Sequence, residues 1–110
     1  MLPKKLLSGV CVSPGLVKGR ARVLKRAEDL ECVEYGEILV LPNSHPMYAI
    51  AVMKASAVVC ENGGKLSHIC VVSMEMGIPC ITQAEDATNI IRNGQQIYVD
   101  ASEGVVYANE

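Results

Sequence analysis

The residues best suited to covalent chemistry in this 110-residue chain lie in one stretch, Ala57-Val-Val-Cys-Glu-Asn-Gly63-Gly64-Lys65-Leu66-Ser67-His68-Ile-Cys-Val-Val. Its opening run, residues 57–60, is continuously apolar and reads as a buried central strand that delivers the chain to a fixed place. Gly63 and Gly64 permit unusual dihedrals and let another backbone or a ligand come close. Ser67 can cap a helix that opens at His68. A helix N-terminus presents unpaired N–H groups and a partial positive charge, which suits an incoming dianion. The imidazole of His68 is neutral and nucleophilic near pH 7, and the helix end disfavours its protonated form. The chemistry this points to is acceptance of a phosphoryl group by His68. Ser67 would hydrogen-bond the ring or the phosphoryl oxygens, and Lys65 would balance charge. A histidine that merely completes a helix end satisfies the same local pattern, so local physics leaves both readings open.

The elements that must hold this stretch can be read from apolar patterning and turn residues. Residues 9–15, Gly-Val-Cys-Val-Ser-Pro-Gly, form an entry strand and turn, followed by a strand through Gly19 to residue 24. Polar residues 25–36 connect to a short strand at 37–41, stopped by Pro42. Asn43-Ser44-His45-Pro46 is a helix-start signal, with the helix over residues 47–55 and His45 as a capping or loop residue. The helix from His68 carries Ile69, Val72, Ser73 and Met76 along one face and stops at Gly77, two residues before Pro79. A strand at 78–82, a helix at 86–92 ended by Gly94, and a hairpin of 96–100 with 105–108 complete the chain. Met47, Met53, Met74 and Met76 read as core filler at helical spacing. Strands and helices alternate in the middle and hairpins flank it, giving a mixed α/β sandwich in a single domain over residues 1–110.

Size and composition bound the function. A chain of 11.8 kDa is one domain of ordinary size, too small to enclose two substrates as ligases and kinases do. It has four Tyr and neither Phe nor Trp, which disfavours single-strand nucleic-acid binding by stacking. Formal charge is −2, unevenly spread: the first 26 residues hold seven of the ten cations and no acid. That basic segment is either the solvated face of a strand, with Lys18, Arg20 and Arg22 alternating with small and apolar residues, or a patch that meets an anionic partner. Five cysteines without a CxxC, and no signal peptide or membrane span, read as a cytoplasmic chain with reduced thiols. Cys60, Cys70 and Cys80 sit in apolar contexts as small core residues, and no metal site is assigned.

The segment Gly63-Gly64-Lys65-Leu66-Ser67-His68, followed by an apolar helix and Gly77-Ile78-Pro79, resembles the phosphohistidine signature of phosphoenolpyruvate-utilising enzymes. Phosphoenolpyruvate synthase, pyruvate phosphate dikinase, rifampin phosphotransferase and the first enzyme of the sugar phosphotransferase system carry it. The resemblance extends over residues 9–108, in order: Ser13-Pro14-Gly15 with Gly19, then Glu37-Ile-Leu-Val40 with Pro46, and Gly94 to Asp100 with Gly104-Val-Val-Tyr107. It implies a three-layer β/β/α swivelling domain whose histidine takes a phosphoryl group at one active site and delivers it at another. It further implies an ATP-grasp-type nucleotide-binding partner and a phosphoenolpyruvate/pyruvate-type barrel or other acceptor partner. Magnesium and ATP or phosphoenolpyruvate would sit on those partners and no cofactor on this chain. The chain would then be a component of a phosphotransferase, not self-sufficient without its partners.

Four positions depart from the common pattern. Leu66 stands where many relatives have Thr, Lys65 where Arg is frequent, and Ile69 where Ala is often found. Ser44 falls where relatives often have Thr before x-Pro, and its hydroxyl either faces the phosphoryl group or caps a helix. Two further readings remain: an interaction module of the same fold that is never phosphorylated, and a Cys/His metal or redox protein.

Overall fold

The computed structural model describes residues 3–109. Eight strands are laid down in chain order as β1 (Lys5–Ser8), β2 (Val10–Ser13), β3 (Leu16–Val23), β4 (Ile38–Leu41), β5 (Ala57–Cys60), β6 (Cys80–Thr82), β7 (Gln96–Asp100) and β8 (Val105–Ala108). Between them lie α1 (Ala49–Val52), α2 (His68–Met76) and α3 (Ala87–Ile90), with 3-10 turns at Ala27–Cys32 and Pro46–Tyr48. The strands hydrogen-bond in the order β1-β8-β7-β3-β4-β5-β6-β2.

β3 belongs to two sheets. Its first half, Leu16 to Arg20, pairs antiparallel with β7, and its second half, Ala21 to Val23, pairs parallel with β4. β1, β8, β7 and β3 therefore make one antiparallel layer. β3, β4, β5, β6 and β2 make a second layer whose central strands are parallel. β1 and β2 stand at opposite ends of the strand order yet are joined by Gly9 alone, so the sheet folds over until its two ends meet there. That junction has no room for a side chain. A Cβ on Gly9 would lie 2.5 Å from the Thr82 carbonyl oxygen, and one on Gly104 would lie 2.5 Å from the Gly9 carbonyl oxygen.

The parallel strands are buried on both faces, which is why they read as unbroken apolar runs rather than alternating ones. Ile38 and Val40 of β4, Ala57 and Val59 of β5, and Ile81 of β6 point between the two sheets, where they meet Ile97, Val99 and Val106. Leu39, Leu41, Val58, Cys60 and Cys80 point the other way and pack under the helices against Tyr48, Val52, Ile69 and Cys70. The result is three layers, β/β/α, as the resemblance implied. Burying each such Val, Leu or Ile contributes roughly 1.5–3 kcal/mol before the cost of ordering the chain.

The structure corrects the sequence reading in several places. The methionines are not core filler: Met47, Met53, Met74 and Met76 are all exposed, with Met53 63% exposed. The helices touch the sheet through smaller residues instead, Ala51 and Val52 on α1 and Ile69, Cys70 and Ser73 on α2, which lets them lie close and leaves the long side chains outside. Ser73 fits there because its Oγ donates to the Ile69 carbonyl at 2.8 Å. The helix expected over 47–55 is a 3-10 turn followed by a single α turn, and the one expected over 86–92 is the short α3, entered through Asp86 at φ +64°. β1 lies in a segment the sequence reading left unassigned. The final hairpin and the limits of α2 agree with the sequence reading, α2 ending at Gly77 in the left-handed conformation.

Candidate functional site

β5 ends at Cys60, and residues 61–67 carry the chain from the sheet to α2. Three ties hold this loop. The Glu61 N–H donates to the Leu41 carbonyl at 2.9 Å, continuing the β4–β5 pairing by one residue. Asn62 Nδ2 donates to the Pro42 carbonyl at 3.1 Å and joins the loop to the one that follows β4. Thr82 Oγ1, at the end of β6, donates to the Gly63 carbonyl at 2.5 Å.

Gly63 sits at φ +130°, where an L side chain is strained, and it is walled in as well. A Cβ there would fall 2.8 Å from Ser67 Oγ and 2.9 Å from Ser44 Cβ. Gly64 is different. Its backbone is in no glycine-only region, and a Cβ on it would meet nothing within 4 Å. The fold of this chain thus requires the first glycine of the pair and not the second.

Ser67 occupies the N-cap position of α2 with extended backbone, and the Val71 N–H donates to its carbonyl at 3.0 Å. Its hydroxyl does not cap the helix; it donates back to the Gly64 carbonyl at 2.6 Å and closes the loop on itself. The capping is done from a distance by Ser44, whose Oγ accepts from the Ile69 N–H at 2.9 Å. Of the two roles open for Ser44, the structure places it as a cap, of α2 rather than of its own turn. The turn at 46–48 is capped by His45, whose Nδ1 accepts from the Met47 N–H at 3.0 Å.

His68 is the first residue of α2, and its side chain is exposed. Among the described residues its imidazole has no hydrogen-bond or ion-pair partner. Lys65 and Leu66 are exposed beside it, Leu66 at 85%. The nine-residue helix directs its positive end toward this side chain, and only one of its first N–H groups is spent on a cap. The arrangement offers a solvent-facing ring nitrogen over a rigid loop, with backbone donors behind it.

Below the loop lies a group of buried thiols. Burial pushes the Cys60 thiol up to about 12. Cys70 and Cys80 share a hydrogen bond that pulls Cys70 down and holds Cys80 up as a protonated thiol, with Ser67 and Thr82 also bonding to Cys70. These are core cysteines, as expected. Among the described residues no group of three or more His, Cys, Asp and Glu side chains is placed to hold a metal ion. The glycine pair also walls an open cavity of about 940 Å³ faced by Glu61, Glu85 and Asp86.

Of the residues singled out from sequence, Ser44, Gly63, Ser67 and His68 meet around the start of α2, while Gly64 and Lys65 border them without side-chain contacts. Thr82 was missed. It comes at the end of an apolar strand and looks like any β-branched strand residue. Only the register, with Ile81 beside Val59, brings its hydroxyl under the loop.

The family described as PEP-utilising enzyme, mobile domain matches residues 33–104. The chain belongs to this family. It is 37% identical over 102 residues to phosphoenolpyruvate synthase of Pyrococcus furiosus, an alignment covering 93% of this chain and 12% of that one. The mobile domain thus spans about an eighth of that larger enzyme. Solved structures share the architecture at lower identity. The solution structure of Enzyme I (nEIt) superposes with a TM-score of 0.61 at 21% identity, over 73% of this chain and 33% of that one. Aconitase X of Thermococcus kodakaraensis superposes with a TM-score of 0.72 at 17% identity, over 94% of this chain and 98% of that one. At these identities the likeness is one of fold, and the same fold carries different chemistries. Among the described residues of the mobile domain no helix is long and apolar enough to cross a membrane.

Proposed function

We propose that this mobile domain is a phosphoryl carrier in which His68 accepts a phosphoryl group at one active site and gives it up at another. The observation that carries this reading is the exposed, unpartnered imidazole of His68 at the start of α2, above a loop pinned by Thr82, Ser67 and Ser44. The neutral ring nitrogen attacks phosphorus in line. A P–N bond forms as the donor's P–O bond breaks, and the electron pair leaves on the donor oxygen. The transferred group lands beside the positive end of α2, where free N–H groups meet its oxygens, and Lys65 offsets its charge.

This chain supplies the nucleophile and its loop. The donor and acceptor sites belong to partners, an ATP-grasp-type nucleotide-binding unit and a phosphoenolpyruvate/pyruvate-type barrel or other acceptor. Magnesium and ATP or phosphoenolpyruvate are held there. The setting is the cytoplasm. The 12% share of the synthase length that matches this chain supports a division of labour of this kind.

The test is labelling. Incubated with the rest of a phosphoenolpyruvate-synthase-type enzyme and labelled ATP or phosphoenolpyruvate, the chain should take up an acid-labile, base-stable label that is absent from His68→Ala. A folded His68→Ala that labels equally, or a wild-type chain that no donor labels, overturns the reading in favour of an unphosphorylated interaction module.

A further inference from the structure

The cations at the start of the sequence part company in the fold. Arg20 and Arg22 turn onto one carboxylate, Glu37, through four hydrogen bonds of 2.9–3.1 Å, and Glu34 lies 3.5 Å from Arg20. Their charge is balanced. Lys25 and Arg26 come just after β3 and face elsewhere. Together with Arg92, which arrives from beyond α3, they line an open cleft of about 540 Å³.

The cleft is built in layers. Val23, Thr88 and Ile91 line it, the last two buried, so it has an apolar floor with one hydroxyl. Asn89 and Asn93 stand at its walls and are themselves tied to the fold. Lys25 Nζ donates to Asn89 Oδ1 at 3.3 Å, and the Val23 N–H donates to Asn93 Oδ1 at 2.9 Å. The single acid in the lining is Asp29. Its Oδ2 accepts from the backbone N–H groups of Lys25 and Arg26 at 3.0 and 3.1 Å, bonds that keep its carboxyl below the usual range. Its charge is therefore directed at the backbone of the turn that presents the two cations. Glu28, which pairs with Arg26 at 3.6 Å, is not part of the lining.

We propose that this cleft is a binding site for a small phosphorylated anion, separate from His68. Three cations against one inward-turned acid give it a positive field in a chain whose formal charge is −2. Two arginines offer forked donors that match phosphate oxygens. The volume falls within the range of small-ligand pockets, roughly 300–1,000 Å³. No aromatic ring lines it, so nothing there stacks a base. An extended polyanion, whether nucleic acid or an acidic protein segment, would have to run past the twelve carboxylates carried by the rest of a small surface. A compact phosphate ester does not.

The experiment is an NMR titration of the ¹⁵N-labelled chain with inorganic phosphate, pyrophosphate and ribose 5-phosphate, against chloride at matched ionic strength. Saturable shifts are expected at the amides of residues 23–29 and 88–93. The doubly substituted Lys25→Gln/Arg26→Gln chain and Arg92→Gln should each weaken binding about tenfold. All three side chains are exposed, so these chains should fold, which the retained spectrum outside the cleft verifies. Saturation by inorganic phosphate or pyrophosphate assigns a free phosphate as ligand, and saturation by ribose 5-phosphate alone assigns an ester. Shifts confined to residues 62–69, shifts no larger than chloride produces, or binding untouched by the substitutions overturn the proposal. So does saturation by a glutamate-rich peptide when no phosphate probe saturates. None of these outcomes depends on whether His68 is phosphorylated.

Discussion

Ser44 caps a helix that begins in another part of the chain, its hydroxyl accepting from the Ile69 N–H 25 positions away at 2.9 Å. The loop after β4 and the start of α2 are thereby one unit, and His68 sits on it. Ser44→Ala removes this acceptor while Ser67, occupied with Gly64, has no hydroxyl to spare. The loss should be about 1 kcal/mol, as for other helix caps, read as a lower urea midpoint with unchanged slope. Faster hydrogen exchange at the Ile69 amide should accompany it. Ser44→Thr, which keeps the oxygen, should restore most of both.

The two glycines before the histidine should answer differently to the same change. Gly63→Ala places a methyl 2.8 Å from Ser67 Oγ at a φ of +130°, so the loop must move. A cost of roughly 1–3 kcal/mol is expected from the backbone alone, with slower labelling of His68. Gly64→Ala meets no atom of this chain, and its stability should stay within about 0.5 kcal/mol of wild type. If Gly64→Ala nevertheless labels more slowly, the space beside it is used by the partner that brings the phosphoryl group. Thermal melts beside labelling rates distinguish the two.

Thr82 tests the support under the loop without touching the nucleophile. Thr82→Val keeps the shape of a fully buried side chain but deletes the donor to the Gly63 carbonyl. Roughly 1–2 kcal/mol should be lost, since a buried carbonyl is left unpaired. Labelling of His68 should slow with the imidazole still present, whereas a purely structural contact would lower the melting temperature and leave the labelling rate of the folded chain unchanged.

Local signals in the sequence were reliable where the cause was itself local. Ser67 and the Gly77-x-Pro79 stop set the limits of α2, and the turn between Asp100 and Gly104 set the hairpin, because caps and turns depend on neighbours a few residues away. The methionines misled because periodicity identifies a stripe without saying what covers it. Ala51 and Ser73 took the sheet contacts, and the longer side chains stayed outside. Thr82 under the glycine loop and Arg92 beside Lys25 were invisible, since strand register and the folding over of the sheet at Gly9 bring them into place. The partition of the early cations was hidden for the same reason. It depends on Glu37 lying next to β3 in space.

That partition makes a prediction about acid. Glu37 is 5% exposed and at the centre of the arginine pair. Burial pushes its carboxyl up, but the hydrogen bonds from Arg22, the Glu34 N–H and Arg20 outweigh burial and hold it below the ordinary glutamate range. A carboxylate whose pKa is lower folded than unfolded contributes stability that is present above the unfolded value, about 4.3, and is lost as pH falls through the folded value. Unfolding free energy should therefore decline from about pH 5 downward. Glu37→Gln should lower stability at pH 7 by about 1.5–3 kcal/mol, the range for a charged hydrogen bond, since both arginines lose their anion. The difference between the two chains should shrink steadily as the pH falls below 4. Urea titrations of both chains between pH 7 and pH 3 measure it. Parallel curves across that range would show that Glu37 is not the group that gives the fold its acid sensitivity.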